Sequence, residues 1–143
     1  MKPIAAANSY VDVNSATLQH NKYKNVFALG DAANLPTAKT AAGIMSQAPI
    51  LVHNLIQYME QKDLNAHYDG YQSCPVFTGD GKLMLIEFKY GAQPAETFSD
   101  KYQTDPNELY YFMKKEVFPH VYFNYMPKGR WFGKNSFFKP SFR

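Results

Sequence analysis

One cysteine, Cys74, stands in 143 residues. It leaves nothing for an internal disulfide framework, and a reducing compartment is the default expectation. Glycine is scarce, at eight residues. None falls in the Gly-x-Gly-x-x-Gly arrangement by which a strand-turn-helix unit cradles a dinucleotide pyrophosphate. No apolar run reaches the roughly 18 residues that read as a membrane-crossing helix. The start, Met-Lys-Pro-Ile-Ala-Ala-Ala-Asn, is too short and too weakly apolar to read as a secretory leader. Four histidines (His20, His53, His67, His120) fall at no metal-ligand spacing, so no metal is expected. There is no RNA-binding motif and no broad basic stripe, so nucleic acid is not an expected partner.

Aromatic residues are plentiful, at 16% against a hydrophobic content of 45%. The net charge of +3 is unevenly placed. Residues 1–101 carry eight basic and nine acidic side chains, whereas residues 102–143 carry seven basic and three acidic. The last stretch, 127–143, has five basic residues and no acid. Thirteen aromatics, from Tyr102 to Phe142, interleave with this charge, among them Phe112, Phe118, Tyr122, Phe123, Trp131 and Phe132. Such a mixture reads either as core or as a segment lying in the headgroup region of an anionic bilayer.

The pattern along the chain predicts an α+β fold with a small mixed or antiparallel sheet. Its strands are expected at 10–13, at 26–29 as a buried strand, and at 73–78 and 82–90, the last two joined by a Gly79-Asp-Gly81 hairpin turn. A long helix is expected over 40–61. Ile44, Ala48, Leu51, Leu55 and Met59 would form its apolar face, and Pro49 would kink or split it. Residues 63–70 read as a linker and 91–104 as a loop. A C-terminal amphipathic helix should start at Asp105-Pro-Asn-Glu108, capped by Asp105, with Leu109, Phe112, Met113 and Val117 as its stripe and Pro119 as its end.

The stretch Asn25 to Gly43 carries the chemistry. A strand that stops at Gly30-Asp31 and soon feeds a helix is suited to a polar cofactor. Gly30 allows close backbone approach, Asp31 offers a fixed acceptor, and the helix start offers unpaired N–H groups and a partial positive charge. Read alone, Gly-Asp is an ordinary turn, Lys39 a solvated loop lysine, and Cys74 a small inert residue.

Taken in order, several segments resemble the C-terminal part of the sulfide:quinone oxidoreductases, the mitochondrial-type branch of a flavoprotein family. They are Thr17-Leu-Gln-His20, Asn25-Val-Phe27, Gly30-Asp31, Asn34-Leu-Pro-Thr37, Lys39-Thr-Ala-Ala42, Tyr68-Asp-Gly-Tyr71, Ser73-Cys-Pro75, Glu87-Phe88, Glu96-Thr-Phe98 and Tyr111-Phe-Met-Lys114. The resemblance implies FAD as cofactor, sulfide oxidation at a redox cysteine pair, and membrane quinone as electron acceptor. It places the second cysteine of the pair at Cys74 and the ribityl-binding aspartate at Asp31. Lys39, Thr40, Ala41 and Ala42 would lie under the isoalloxazine ring. The aromatic C-terminal segment would dock on the membrane and line the quinone entry.

Three units follow from it. Residues 1–62 would be the end of a Rossmann-like FAD-binding domain, 63–104 a β-hairpin segment with Cys74, and 105–143 the membrane-docking segment. The pyrophosphate-binding half and the partner cysteine are absent from these residues. The chain is therefore expected to need an N-terminal partner part, to be inactive and to retain little FAD alone, and to self-associate. It would sit peripherally on a membrane, on a cytoplasmic or matrix-type reducing side. A related NADH:quinone oxidoreductase fragment and a non-catalytic membrane-binding or assembly module are the alternatives.

Overall fold

A computed structural model describes residues 3–98, 103 and 105–142. Tyr102 and Arg143, two of the aromatic and basic residues counted above, lie outside the described residues. The helix α1 (Ala41–Met59) is followed by the strands β1 (Gln72–Gly79) and β2 (Lys82–Phe88), then by α2 (Glu108–Phe112) and α3 (Phe118–Asn124). Short 3-10 turns at Gly30–Ala32, Tyr90–Ala92, Met126–Lys128 and Gly133–Asn135 join or follow them. The fold is α+β, with one two-stranded antiparallel sheet among the described residues.

The hairpin forms where Asp-Gly predicts it. Asp80 (φ 49°) and Gly81 (φ 69°) both occupy the left-handed region that a two-residue hairpin turn of this twist requires. β2 buries Leu83, Leu85 and Glu87 on one face and ends at Phe88; Tyr90 already belongs to the next turn.

The two expected N-terminal strands do not form ladders. Residues 10–13 make isolated bridges only, Val11 to Ala5 and Ala33 and Val13 to His20. Residues 26–29 are half-buried rather than buried, with a single bridge from Phe27 to Gln19. The hydrogen bonds His20 N–H to Val26 O (2.8 Å) and Ala28 N–H to Leu18 O (3.2 Å) all run toward one neighbouring segment. The contacts are isolated bridges, so no ladder builds up. Residues 63–70 are no loose linker either: Ala66, Tyr68 and Gly70 are buried.

α1 starts one residue later than expected because Thr40 is its cap, accepting from Gly43 N–H at 3.1 Å. It runs unsplit through Pro49. The buried face is Gly43, Gln47, Ile50 and Asn54, displaced by one residue from the apolar stripe, and Met59 is 73% exposed. Two amides occupy that face because the segments they cover lack sheet partners. Asn54 donates to Thr17 O (3.0 Å) and Ala66 O (2.8 Å) and accepts from Ala66 N–H (3.1 Å). Gln47 accepts from Gly30 N–H at 2.7 Å. The main core closes around them with Val13, Leu18, Leu35, Ile50, Tyr68 and Tyr71.

The C-terminal helix corrects two expectations. Its cap is Asn107, not Asp105: both backbone groups of Asn107 pair with Leu83, which holds it extended, and its side chain accepts from Tyr110 N–H at 2.9 Å. Pro119 does not end the helix. A π-helical turn, Met113–Val117, precedes it, and Phe118 N–H reaches back to Met113 O. The wider turn shifts the hydrogen-bond register just where proline supplies no donor, and α3 continues beyond.

Candidate functional site

A cavity of about 460 Å³ lies between the head of α1, the hairpin and the C-terminal segment. Ala41 and Ala42 form one wall, Tyr71, Ser73, Pro75, Leu85 and Glu87 a second. Phe98 and the C-terminal residues Phe118, Val121, Tyr122, Phe123, Met126 and Trp131 line the rest. Its shape depends on a close fit at Gly133. A Cβ there would lie 2.1 Å from Ser46 Oγ, and φ is +60°, so only glycine lets this turn rest on α1. The neighbouring Lys134 reaches across to donate to Ala95 O at 2.8 Å and lines the cavity as well.

The chemistry of the walls is uneven. Among the described residues, the N–H groups of Ala41 and Ala42 have no acceptor, because the Thr40 cap serves Gly43 and Ile44. They sit at the positive end of a 19-residue helix. The second wall carries a buried carboxylate. Glu87 is 4% exposed and accepts from Thr97 N–H (2.7 Å), Thr97 Oγ1 (2.7 Å), the Tyr71 hydroxyl and the Gln103 amide. No cation pairs with it among the described residues. Burial, and then the Glu87 carboxylate, push the Tyr71 phenol well above its ordinary range; burial does the same to Tyr90. The cavity is thus apolar across its middle, positive at the α1 end and acceptor-rich at Glu87.

No protein-family model matches the chain. Curated relatives do. It is 53% identical to the mitochondrial sulfide:quinone oxidoreductase of Dictyostelium discoideum over 134 residues, covering 94% of this chain and 29% of that protein. The enzymes of the same name from Schizosaccharomyces pombe and Mus musculus are each 44% identical, covering 97% and 92% of this chain and 31% and 29% of theirs. The chain matches the C-terminal portion of mitochondrial sulfide:quinone oxidoreductases. It spans less than a third of the length of these relatives. A chain in the cryo-EM structure of the Tetrahymena thermophila mitochondrial ATP synthase (F1Fo composite tetramer) superposes with a TM-score of 0.76 at 31% identity, over 84% of this chain and 29% of that one.

The residues singled out by resemblance to the sulfide:quinone oxidoreductases divide around the cavity. Ala41, Ala42, Phe118, Tyr122, Phe123 and Trp131 line it. Phe132 lines a smaller cavity of about 180 Å³ beside it, and Phe112 is exposed and lines neither. Gly30, Asp31 and Lys39 cluster beside the first turns of α1. Lys39 Nζ bonds the carbonyls of Gly30 and Ala33 and lies 4.9 Å over the Tyr10 ring, which makes it a clasp on the turn. Asp31 is exposed and has no hydrogen-bond or ion-pair partner among the described residues. Cys74 is exposed, while its neighbours Ser73 and Pro75 line the cavity; strand alternation turns it to the opposite face of β1. Among the described residues no cluster of His, Cys, Asp or Glu could hold a metal.

Glu87, Thr97 and Gln103 were not singled out by sequence as site residues. A signal for Glu87 was present: it continues the Leu83, Leu85 alternation, so a charged residue occupies the buried register of β2.

Proposed function

We propose that this chain forms the ring-facing side of the flavin site and the quinone cavity of a mitochondrial-type sulfide:quinone oxidoreductase. One observation carries the reading. A single cavity joins the unpaired N–H groups at the head of α1 to an aromatic, basic C-terminal segment. The similarity to the named relatives supplies the chemistry.

The residues present fit the ring side of FAD. Ala41 and Ala42 supply donors suited to an electron-rich ring edge. Asp31 supplies a free acceptor for a ribityl hydroxyl. Nothing among the 143 residues supplies the glycine-rich pyrophosphate cradle, which falls to the N-terminal part of the enzyme. The chemistry FAD supplies when bound is two-electron transfer between the cysteine pair and quinone. Cys74 acts as a thiolate toward sulfane sulfur, and its exposed face of β1 is open to the partner cysteine from the rest of the enzyme. Residues 1–62 complete the flavin domain, 63–104 present Cys74, and 105–143 dock the enzyme peripherally on a mitochondrial membrane.

In the complete enzyme, Asp31→Ala should purify with much reduced flavin content, and Cys74→Ser should abolish quinone reduction by sulfide. Wild-type flavin content in the first, or reduction driven by NADH rather than sulfide in the parent enzyme, would reject the assignment.

A further inference from the structure

Four donors converge on the buried Glu87, two on each oxygen. Thr97 N–H and the Gln103 amide donate to Oε2; Thr97 Oγ1 and the Tyr71 hydroxyl donate to Oε1. The orientation of the Gln103 amide is set from its other end, where Oε1 accepts from Phe98 N–H at 2.9 Å. A carboxylate accepts and does not donate. Tyr71 therefore spends its only proton on Glu87, and its oxygen keeps lone pairs for a further donor. Tyr71 and Glu87 both line the 460 Å³ cavity. The Lys134 ammonium lies 5.8 Å from the Tyr71 ring centroid and is held by Ala95 O at 2.8 Å.

We propose that Glu87 is a positioning residue that fixes Tyr71 as a hydrogen-bond acceptor, so that the cavity binds the hydroxyl-bearing, reduced form of a quinone headgroup more tightly than the dicarbonyl form. This rests on the quinone-cavity reading above. A hydroquinone can donate to the Tyr71 oxygen. A quinone offers acceptors at both ends and meets an acceptor at Tyr71. By linkage, the ratio of the two affinities is also the factor by which reduction of the bound quinone is favoured over reduction in free solution.

Trp131 is the sole tryptophan and lines the same cavity, which makes its fluorescence a native reporter. The intact chain is titrated anaerobically with a short-tailed, water-soluble benzoquinone and separately with its hydroquinone. The hydroquinone should bind more tightly. Tyr71→Phe should weaken hydroquinone by roughly three- to tenfold, the worth of one hydrogen bond, and leave the quinone affinity unchanged. Glu87→Gln should shrink or reverse the preference, because its amide can donate to Tyr71 and release the phenolic proton toward the ligand. A merely structural role would weaken both forms equally. Equal loss of both forms, or a ratio unmoved by Tyr71→Phe in a wild-type chain that binds both, overturns the proposal alone. A wild-type chain that binds neither form overturns the quinone-cavity reading and the proposal with it.

Discussion

Asn54 does the work of a strand with one side chain. It is fully buried, and its amide satisfies Thr17 O, Ala66 O and Ala66 N–H, which belong to two segments that carry no ladder of their own. A buried backbone group without a partner costs about 1–3 kcal/mol. Asn54→Ala strands three such groups, and partial entry of water offsets some of the loss. The expected cost is about 3 kcal/mol, seen as a fall in thermal midpoint of roughly 10 °C. Asn54→Leu, which restores volume but not hydrogen bonds, should recover little of it. A midpoint within a degree or two of wild type would show that water alone serves these groups. Gln47 plays the same part for Gly30, where a Cβ would come within 3.0 Å of Ile44 and φ is +61°. The Gly-Asp turn thus owes its shape to α1 as much as to its own residues.

At the scale of elements, what a sequence pattern shows depends on whether the determinant is local. The hairpin was legible because Asp80-Gly81 and the alternation of Leu83 and Leu85 sit within a few residues of one another. α1 was legible in extent, to within two residues at either end, from its periodicity. Its buried face was not, because Gln47 and Asn54 are buried by what they bond and not by apolarity. The strands at 10–13 and 26–29 were misread because their neighbouring segments meet them only at isolated bridges, which no local pattern reveals. Part of the site was legible in the same way: Ala41 and Ala42 follow from the helix start, whereas Thr97 and Gln103 reach Glu87 from a loop with no pattern. Asn107 shows a long-range tie overriding a local signal. Asp105-Pro106 is a good helix start by composition, yet pairing with Leu83 delays the helix until Glu108. Asn107→Ala should therefore cost about 1 kcal/mol, Asn107→Asp should restore most of it, and Asp105→Ala should be nearly neutral. Chemical denaturation of the three variants checks this; a larger loss at Asp105 than at Asn107 would put the cap back where composition suggests.

Across the whole molecule, two groups of exposed apolar side chains can be set apart among the described residues. Val52, Ile56 and Met59 belong to α1, while Phe123 (71% exposed), Phe137 (54%) and Phe138 (81%) belong to the C-terminal segment. Lys128, Arg130 and Lys139 are exposed among the second group and absent from the first. Among the described residues no helix is long and apolar enough to cross a membrane, so attachment through this face would be interfacial. Removing residues 127–143 would be a poor test, since Trp131, Gly133 and Lys134 also close the cavity over α1. Phe123→Ser combined with Phe138→Ser alters side chains that are mostly exposed. The pair should lower partition onto anionic vesicles by about tenfold or more while leaving the thermal midpoint nearly unchanged. Binding by the parent chain should weaken with added salt, because part of the attraction is the basic side chains' own. The α1 face carries no such charge, so self-association through it should persist in the double variant and fall with Ile56→Lys, measured by sedimentation. Vesicle binding that survives the loss of both phenylalanines, or that is lost with Ile56→Lys instead, would move the docking surface to the other face.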